Sequence, residues 1–231
     1  MSLNLVLLVA GTLGLVAFVC LNSYAGARLL RQGALPYNPL LHPLENAGRL
    51  TVAGLCLVLG VASGAPTATL GWVESSLLTN LAIGVGAALV LQELNYRGTR
   101  WAVRGWGKGS YSPAFLRALL PRSRRDWAIA SVVLLPAALA EELLFRSLAI
   151  GGLSLTLNPW VLVVLFAALF GLAHLPQGRL GVVGSGLLGL LLGALFVWRW
   201  SLVACTIAHY GVNLAQLLRG EDDLRWLERQ P

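Results

Sequence analysis

The sequence contains little charge. Only 12% of its 231 residues are Asp, Glu, Lys or Arg, whereas 57% are hydrophobic. A soluble domain typically carries about 25% charged residues, because its surface faces water. The composition therefore excludes an ordinary water-soluble protein and indicates a chain surrounded mainly by lipid.

Cysteine is also scarce. The three cysteines, Cys20, Cys56 and Cys205, lie within or at the edge of apolar segments. Their spacing shows no pairing typical of a disulfide framework or a thiolate metal site. We expect them to be packing thiols without a chemical role.

A long polar segment that could fold as a soluble domain is absent. The longest polar stretch, Tyr96 to Asp126, mixes basic residues with Trp, Tyr, Phe and Leu. Such a mixture suits a helix or loop in the head-group layer of a membrane. The Leu29 to Leu44 connection contains Pro36, Pro39 and Pro43 and is predicted to be a loop or interfacial segment.

Long apolar runs, in contrast, are frequent. A membrane-spanning helix needs about 20 mostly apolar residues to cross a hydrocarbon core of about 30 Å. We therefore predict an all-α, polytopic transmembrane helical bundle with about seven spans. The fifth and seventh are short enough to tilt or to line a cavity. The spans are Leu3 to Tyr24, Leu50 to Leu70, Leu77 to Asn95, Trp127 to Ile150, Pro159 to His174, Leu180 to Trp198 and Leu202 to Leu218.

The basic residues predict the orientation. The segment from Arg97 to Arg125 contains eight basic residues and no acidic residue. Because Lys and Arg accumulate on cytoplasmic loops, this segment should be cytoplasmic, with the N-terminus outside and the C-terminus inside. The formal charge of +7 then reflects topology and attraction to anionic lipid. It does not indicate a nucleic-acid partner, because no soluble domain carries a binding groove.

The chain is predicted to divide into three parts. Residues 1–126 form the N-terminal transmembrane helices and basic cytoplasmic loop, residues 127–218 a catalytic core, and residues 219–231 a C-terminal tail.

In the sixth span, Ser185, Gly189 and Gly193 recur at intervals of four. Small residues at this spacing let helix backbones approach closely. We expect packing against a helix of the same chain, with a homodimer face as the alternative. One lysine against sixteen arginines fits a GC-rich bacterial coding bias.

Ionisable and polar residues cluster in the last four spans. A charged group inside a bilayer costs several kcal/mol, so each needs a partner or a wet cavity. In the fourth span, Glu142 and Arg146 are four residues apart and can pair on one helical face. Glu141 lies on another face and has no counter-ion within its helix. Pro136 removes a backbone hydrogen-bond donor and can bend this helix beside Glu141.

The other polar residues could complete a hydrolytic site. His174 ends the fifth span, and His209 and Asn213 are four residues apart on the seventh. Glu141 and His174 could activate a water, while His209 and Asn213 could donate hydrogen bonds to an oxyanion. Glu141, however, lies about 20 Å into its span from the cytoplasmic side, whereas His174 lies near the cytoplasmic end of its own. The site requires the structure to bring them together.

These motifs resemble a known family. Glu-Glu-x-x-x-Arg, Phe-x-x-x-His and His-x-x-x-Asn occur in order between Trp127 and Leu218, as in the CPBP/Abi family that includes the type II CAAX prenyl endopeptidases. The resemblance implies that Glu141 is the catalytic glutamate, assisted by His174. It places His209 and Asn213 in the oxyanion role, supported by the ion pair of Glu142 and Arg146. It further implies an all-helical fold and proteolysis near the membrane surface, with a membrane protein or lipidated peptide as substrate.

Two alternatives remain open at the sequence level. Glu141 or Glu142, with His174 and His209, could bind zinc. Metal-free glutamate chemistry is favoured because His-Glu-x-x-His is absent and Arg146 lies nearby. The same helices could also form a non-catalytic scaffold, assembly or immunity factor that holds a stable membrane-protein partner. A transporter is less favoured, because no inverted repeat is evident.

Overall fold

The computed structural model describes residues 3–33 and 37–230, and within these ranges all regular structure is helical. Residue Pro36 of the predicted loop lies outside the described ranges. The all-α architecture predicted from the composition is confirmed. The α-helices are α1 (Leu3–Arg31), α2 (Pro43–Ser63), α3 (Leu77–Trp106), α4 (Pro113–Leu119), α5 (Arg124–Glu142), α6 (Pro159–Leu172), α7 (Arg179–Arg199) and α8 (Leu202–Glu228).

Five helical segments are long and apolar enough to cross a membrane: α1, α2, α3, α7 and the continuous segment Arg124–Leu155 that begins with α5. The fifth predicted span corresponds to α6, which is apolar but has only 14 residues. The seventh lies in α8, which is 27 residues long and carries more charge. The chain is therefore an all-α, multi-pass membrane helical bundle.

Several helices continue beyond the predicted spans. Helix α1 extends to Arg31, α3 to Trp106 and α8 to Glu228, because a fall in hydropathy marks the end of an apolar surface and not the end of a helix. Helix α2 begins at Pro43, seven residues before the predicted start at Leu50. Proline is favoured in the first turn of a helix, where its missing N–H leaves no bond unmade.

Successive helices run up and down the bundle. A Cβ on Gly11 of α1 would contact Leu59 of α2, and Gly64 at the end of α2 lies near Asn4 at the start of α1, so these helices are antiparallel. Helices α6 and α7 are antiparallel as well, and Gly193 of α7 packs on Val163 of α6. Helices α3 and α8 run parallel, because Gly84 lies against Ala204 and Ala88 against Gly211. This alternation places the C-terminal ends of α1, α3, α6 and α8 at one end of the bundle.

The small residues of α7 pack within the chain, as the sequence predicts. Gly189 lies against Phe170 and Ala167 of α6. The close approach is sharpest where Gly171 of α6 meets Gly186 of α7. Side chains larger than hydrogen at Gly171 and Gly189 would hold the two helices apart.

Helix α5 changes its winding beside the polar residues. It contains Pro136 and passes after Glu142 into a π-helical segment, Leu143–Gly152, in which every residue is buried. π-Helical turns are rare and occur often at functional sites. The segment lies in the main apolar core, and Ser147 accepts a hydrogen bond from the indole of Trp72 at 2.8 Å. The winding therefore changes immediately after the two glutamates, and a bend at Pro136 stays a prediction.

Candidate functional site

The Glu141 carboxylate faces two histidines from two other parts of the chain. Its Oε2 atom lies 3.7 Å from Nε2 of His174 and 3.8 Å from Nε2 of His209. The Glu141 side chain is 35% exposed and that of His174 is 18% exposed, whereas His209 is buried. Oε2 of Glu141 itself is buried and has no hydrogen-bond partner among the described residues. The site thus contains an unpaired carboxylate oxygen between two imidazole nitrogens.

Glu142 makes different contacts from its neighbour. Its Oε1 lies 2.7 Å from Nδ1 of His209 and 3.0 Å from Nη1 of Arg146. The side chains of Glu142 and Arg146 are almost completely buried, at 0% and 1% exposure. The predicted ion pair is present. The bond to His209 was not predicted, because it joins α5 to α8 across the bundle and no local spacing reveals it.

Both histidine rings are oriented through Nδ1. His174 Nδ1 lies 2.7 Å from the backbone oxygen of Phe170, and because a carbonyl only accepts, Nδ1 carries the proton. His209 Nδ1 donates to the Glu142 carboxylate in the same way. Each ring therefore directs Nε2 toward Glu141. The Phe-x-x-x-His spacing corresponds to the i, i+4 bond between Phe170 and His174.

Phe170 is the residue around which the site packs. Its ring lies 4.6 Å from the guanidinium carbon of Arg146, 4.6 Å from the His174 ring and 5.7 Å from the His209 ring. Arg146 also donates a hydrogen bond to the backbone oxygen of Gly189 at 3.3 Å. Stacking on an aromatic ring and pairing with a carboxylate both stabilise a buried cation. Phe170 and Gly189 thus hold the arginine that positions Glu142.

His174 reaches Glu141 because α6 is short. Fourteen residues rise only about 21 Å, and α6 ends at Leu172 beside Ser23, which donates to the Leu172 carbonyl at 3.4 Å. Helix α1 continues eight residues beyond Ser23 to Arg31, so His174 is set back about 12 Å from the end of α1. Because His174 lies at this recessed position, it can reach Glu141, although the sequence places the two residues at different depths in the membrane.

Asn213 is the one predicted site residue without a contact to the cluster. It lies half-buried on α8, one turn beyond His209, and its side chain forms no hydrogen bond with the described residues. Residues four apart on a helix share a face. Asn213 is therefore placed on the His209 side of α8, and its role stays a prediction.

Arg49 is a neighbour of the site that the sequence did not indicate. It belongs to α2, lies half-buried, and interacts electrostatically with Glu141. Its Nη1 donates to Asn46 at 2.8 Å. The predicted second span begins at Leu50 and leaves Arg49 outside it, whereas α2 begins at Pro43, before its apolar stretch.

The zinc alternative is not supported by the placement of the donors. The described residues include no group of three or more His, Cys, Asp or Glu side chains arranged to hold a metal ion. Glu141, His174 and His209 are neighbours, but the guanidinium of Arg146 adds a positive charge beside them, which disfavours a dication. We derive no step through a metal.

Comparison with known proteins gives a family for this part of the chain. No curated protein and no solved structure matches it. Residues 123–215 match the family described as type II CAAX prenyl endopeptidase Rce1-like. This segment contains the two glutamates, Arg146, both site histidines and Asn213, and it agrees with the resemblance seen in the three motifs. The resemblance to the type II CAAX prenyl endopeptidases is therefore confirmed for residues 123–215.

Proposed function

We propose that this protein is an intramembrane endopeptidase that uses Glu141 to activate water, acting near the cytoplasmic face of the membrane. The observation that carries the proposal is the position of the Glu141 Oε2 atom, within 3.8 Å of Nε2 on both His174 and His209. The match to the Rce1-like family supports a peptidase of the CAAX type.

Glu141 and His174 are suited to hold the attacking water. Their facing atoms are 3.7 Å apart, too far for a direct hydrogen bond but suitable for one water that lies about 2.8 Å from each. With Nδ1 of His174 protonated, its Nε2 can accept from that water. Glu141 then removes one proton as the water oxygen bonds to the peptide carbonyl carbon.

In this proposal, His209 and Asn213 stabilise the resulting oxyanion. Glu142 accepts from Nδ1 of His209 at 2.7 Å, so the ring can donate from Nε2 when it is doubly protonated. The Glu142 carboxylate then compensates the positive charge of the ring. Asn213 supplies an amide N–H from the same face of α8. When the C–N bond breaks, Glu141 returns the proton to the leaving amine.

The location of the site suits a substrate held in the membrane. His174 and Glu141 lie among apolar helices, at the recessed end of α6. A membrane protein or a lipidated peptide can bring a peptide bond to this depth, whereas a soluble protein cannot. Prenylated CAAX peptides are the substrates that the family match favours.

The direct test is cleavage of a prenylated CAAX peptide by purified protein carrying Glu141→Gln. Substitution removes the base but keeps the shape, and we expect activity to fall about 10²- to 10⁴-fold. Glu93→Gln is the matched control, because Glu93 lies half-exposed on α3, away from the candidate site, and pairs with Arg97. Unchanged cleavage by the Glu141 variant, with a folded protein, would eliminate Glu141 as the base.

A genetic test separates catalysis from binding. A strain that lacks this protein should be rescued by the wild type but not by Glu141→Ala or His174→Ala, provided that all are produced equally. Equal rescue by both variants would mean that the function is binding of a membrane partner, which corresponds to the scaffold alternative.

A further inference from the structure

A second polar cluster lies away from the proposed active site, where α3 and α8 run side by side. We call it the arginine–tyrosine cluster, and it consists of Tyr96, Arg100, Arg219, Asp223 and Trp226. The guanidinium carbons of Arg100 and Arg219 lie 4.3 Å and 4.5 Å from the centre of the Tyr96 ring. Arg100 also lies 4.8 Å from the Trp226 ring. The aromatic rings hold both cations in fixed positions.

The positive charge of this cluster is only partly neutralised. Asp223 is its one carboxylate, 3.4 Å from Arg100, so two positive charges face one negative charge. Arg219 donates no hydrogen bond to any described residue, and its Nη1 and the Nε of Arg100 are buried without a hydrogen-bond partner. A guanidinium offers five N–H donors. Most of those on Arg219 have no acceptor within the described part of the protein.

Two nearby acidic side chains do not neutralise the remaining positive charge, because each is paired with another arginine. Asp222 pairs with Arg225 at 2.7 Å, and Glu228 pairs with Arg117 at 2.6 Å. The cluster therefore retains about one unit of positive charge and a set of free donors. An anion that accepts several hydrogen bonds would neutralise this charge and pair with these donors.

The cluster also adjoins apolar surface. It lies immediately beyond the predicted ends of the third and seventh spans, at Asn95 and Leu218. Leu94 and Leu218 are 58% and 63% exposed. Apolar surface on one side and guanidinium groups on the other correspond to the acyl chains and the phosphate of a phospholipid.

We propose that the arginine–tyrosine cluster binds the head group of an anionic phospholipid. The phosphate accepts hydrogen bonds from Arg219 and Arg100, and the acyl chains lie along the exposed leucines of α3 and α8. Binding would clamp these two helices together. Because α8 carries His209, a bound lipid would stabilise the helix that contributes to the candidate site. The proposal does not depend on peptidase activity.

The test is a thermal-stability titration of purified full-length protein in mild detergent. Phosphatidylglycerol is the anionic probe, with phosphatidylcholine and inorganic phosphate as comparisons. We expect phosphatidylglycerol to raise the melting temperature of the wild type most. In Arg219→Gln the half-saturating concentration should rise about fivefold. Arg225→Gln is the matched control, because it removes the same charge from the same helix outside the cluster, and its titration should equal that of the wild type.

Two outcomes would overturn the proposal. If Arg219→Gln and Arg225→Gln weakened the binding of phosphatidylglycerol equally, the lipid would be responding to general surface charge and not to the cluster. Equal stabilisation by inorganic phosphate alone would show that the cluster takes a free anion and not a lipid. Should Arg219→Gln not fold, native mass spectrometry of wild-type protein from mixed-lipid nanodiscs gives a second measurement. Retention of phosphatidylcholine as often as phosphatidylglycerol would equally contradict the proposal.

Discussion

Glu141 and Glu142 are adjacent in sequence, yet their carboxylates contact different groups. Glu142 is fully buried and binds both Arg146 and His209, whereas Glu141 is 35% exposed and has an unpaired oxygen between two histidines. Consecutive helical residues point about 100° apart, which is why one carboxylate supports the structure and the other is free to meet a substrate.

This difference predicts opposite effects on stability. Glu142→Gln leaves Arg146 as a buried charge without its counter-ion, which typically costs about 3–5 kcal/mol. Glu141→Gln breaks no direct hydrogen bond and should change stability little. Thermal unfolding of the two purified variants in detergent measures both effects. Equal melting temperatures would contradict the assignment of Glu142 as the structural carboxylate.

At this scale, local spacing predicted the pair of Glu142 with Arg146. The bond of His174 to Phe170 also joins residues four apart, but it was not predicted. The bond between Glu142 and His209 joins residues 67 positions apart, and the approach of Glu141 to His174 depends on where α6 ends. Such contacts arise from helix packing, which the sequence of one helix does not specify.

At the scale of elements, the α6–α7 hairpin positions His174. Gly171 lies three residues before His174, and a Cβ at this position would lie 2.6 Å from the backbone oxygen of Val182. A backbone atom cannot turn away as a side chain can. The closeness of the two helices therefore depends on glycine at position 171.

We accordingly expect Gly171→Ala to separate α6 from α7 and displace His174. The cost should be about 1–3 kcal/mol, as for other overpacked substitutions, and peptidase activity should fall with it. Gly86→Ala is the matched control, since Gly86 lies in α3 with no atom within 4 Å of its added Cβ, and alanine is the better helix former. Thermal unfolding and cleavage assays check both variants. A Gly171 variant as stable and active as the control would contradict the packing argument.

Helix boundaries were less predictable than helix positions. Hydropathy located the apolar part of every long helix, but α3 and α8 continue as paired helices for about ten residues beyond it. Their polar continuations are held by contacts between the helices, including Arg100 with Asp223. The π-helical segment after Glu142 was likewise not evident, because its winding follows from packing in the core and not from any local sequence signal.

At the scale of the whole molecule, the two ends of the bundle differ in polarity. The end with the α6–α7 turn also carries the basic segment 97–125, and backbone N–H of Ser112 in that segment donates to the Gln177 carbonyl at 3.0 Å. At the opposite end, Glu74 accepts from Ser201 at 2.6 Å, while Arg199 donates to Asn80 at 3.0 Å. The excess of basic residues at the first end favours a cytoplasmic position for it, and the end of α6 that precedes His174 lies at this same end.

Thiol labelling can test this orientation. Ser75 and Gly105 are exposed and lie at opposite ends of the bundle, and the native Cys56 and Cys205 are buried while Cys20 is half-buried. We expect Ser75→Cys to react with a membrane-impermeant thiol reagent on intact cells. Gly105→Cys should react only after permeabilisation, because basic segments remain on the cytoplasmic side. The unmodified protein measures the background from native cysteines. The reverse labelling pattern would place the basic segment outside and move the proposed cleavage site to the other membrane face, which would leave the glutamate chemistry intact but exclude cytoplasmic CAAX peptides as substrates.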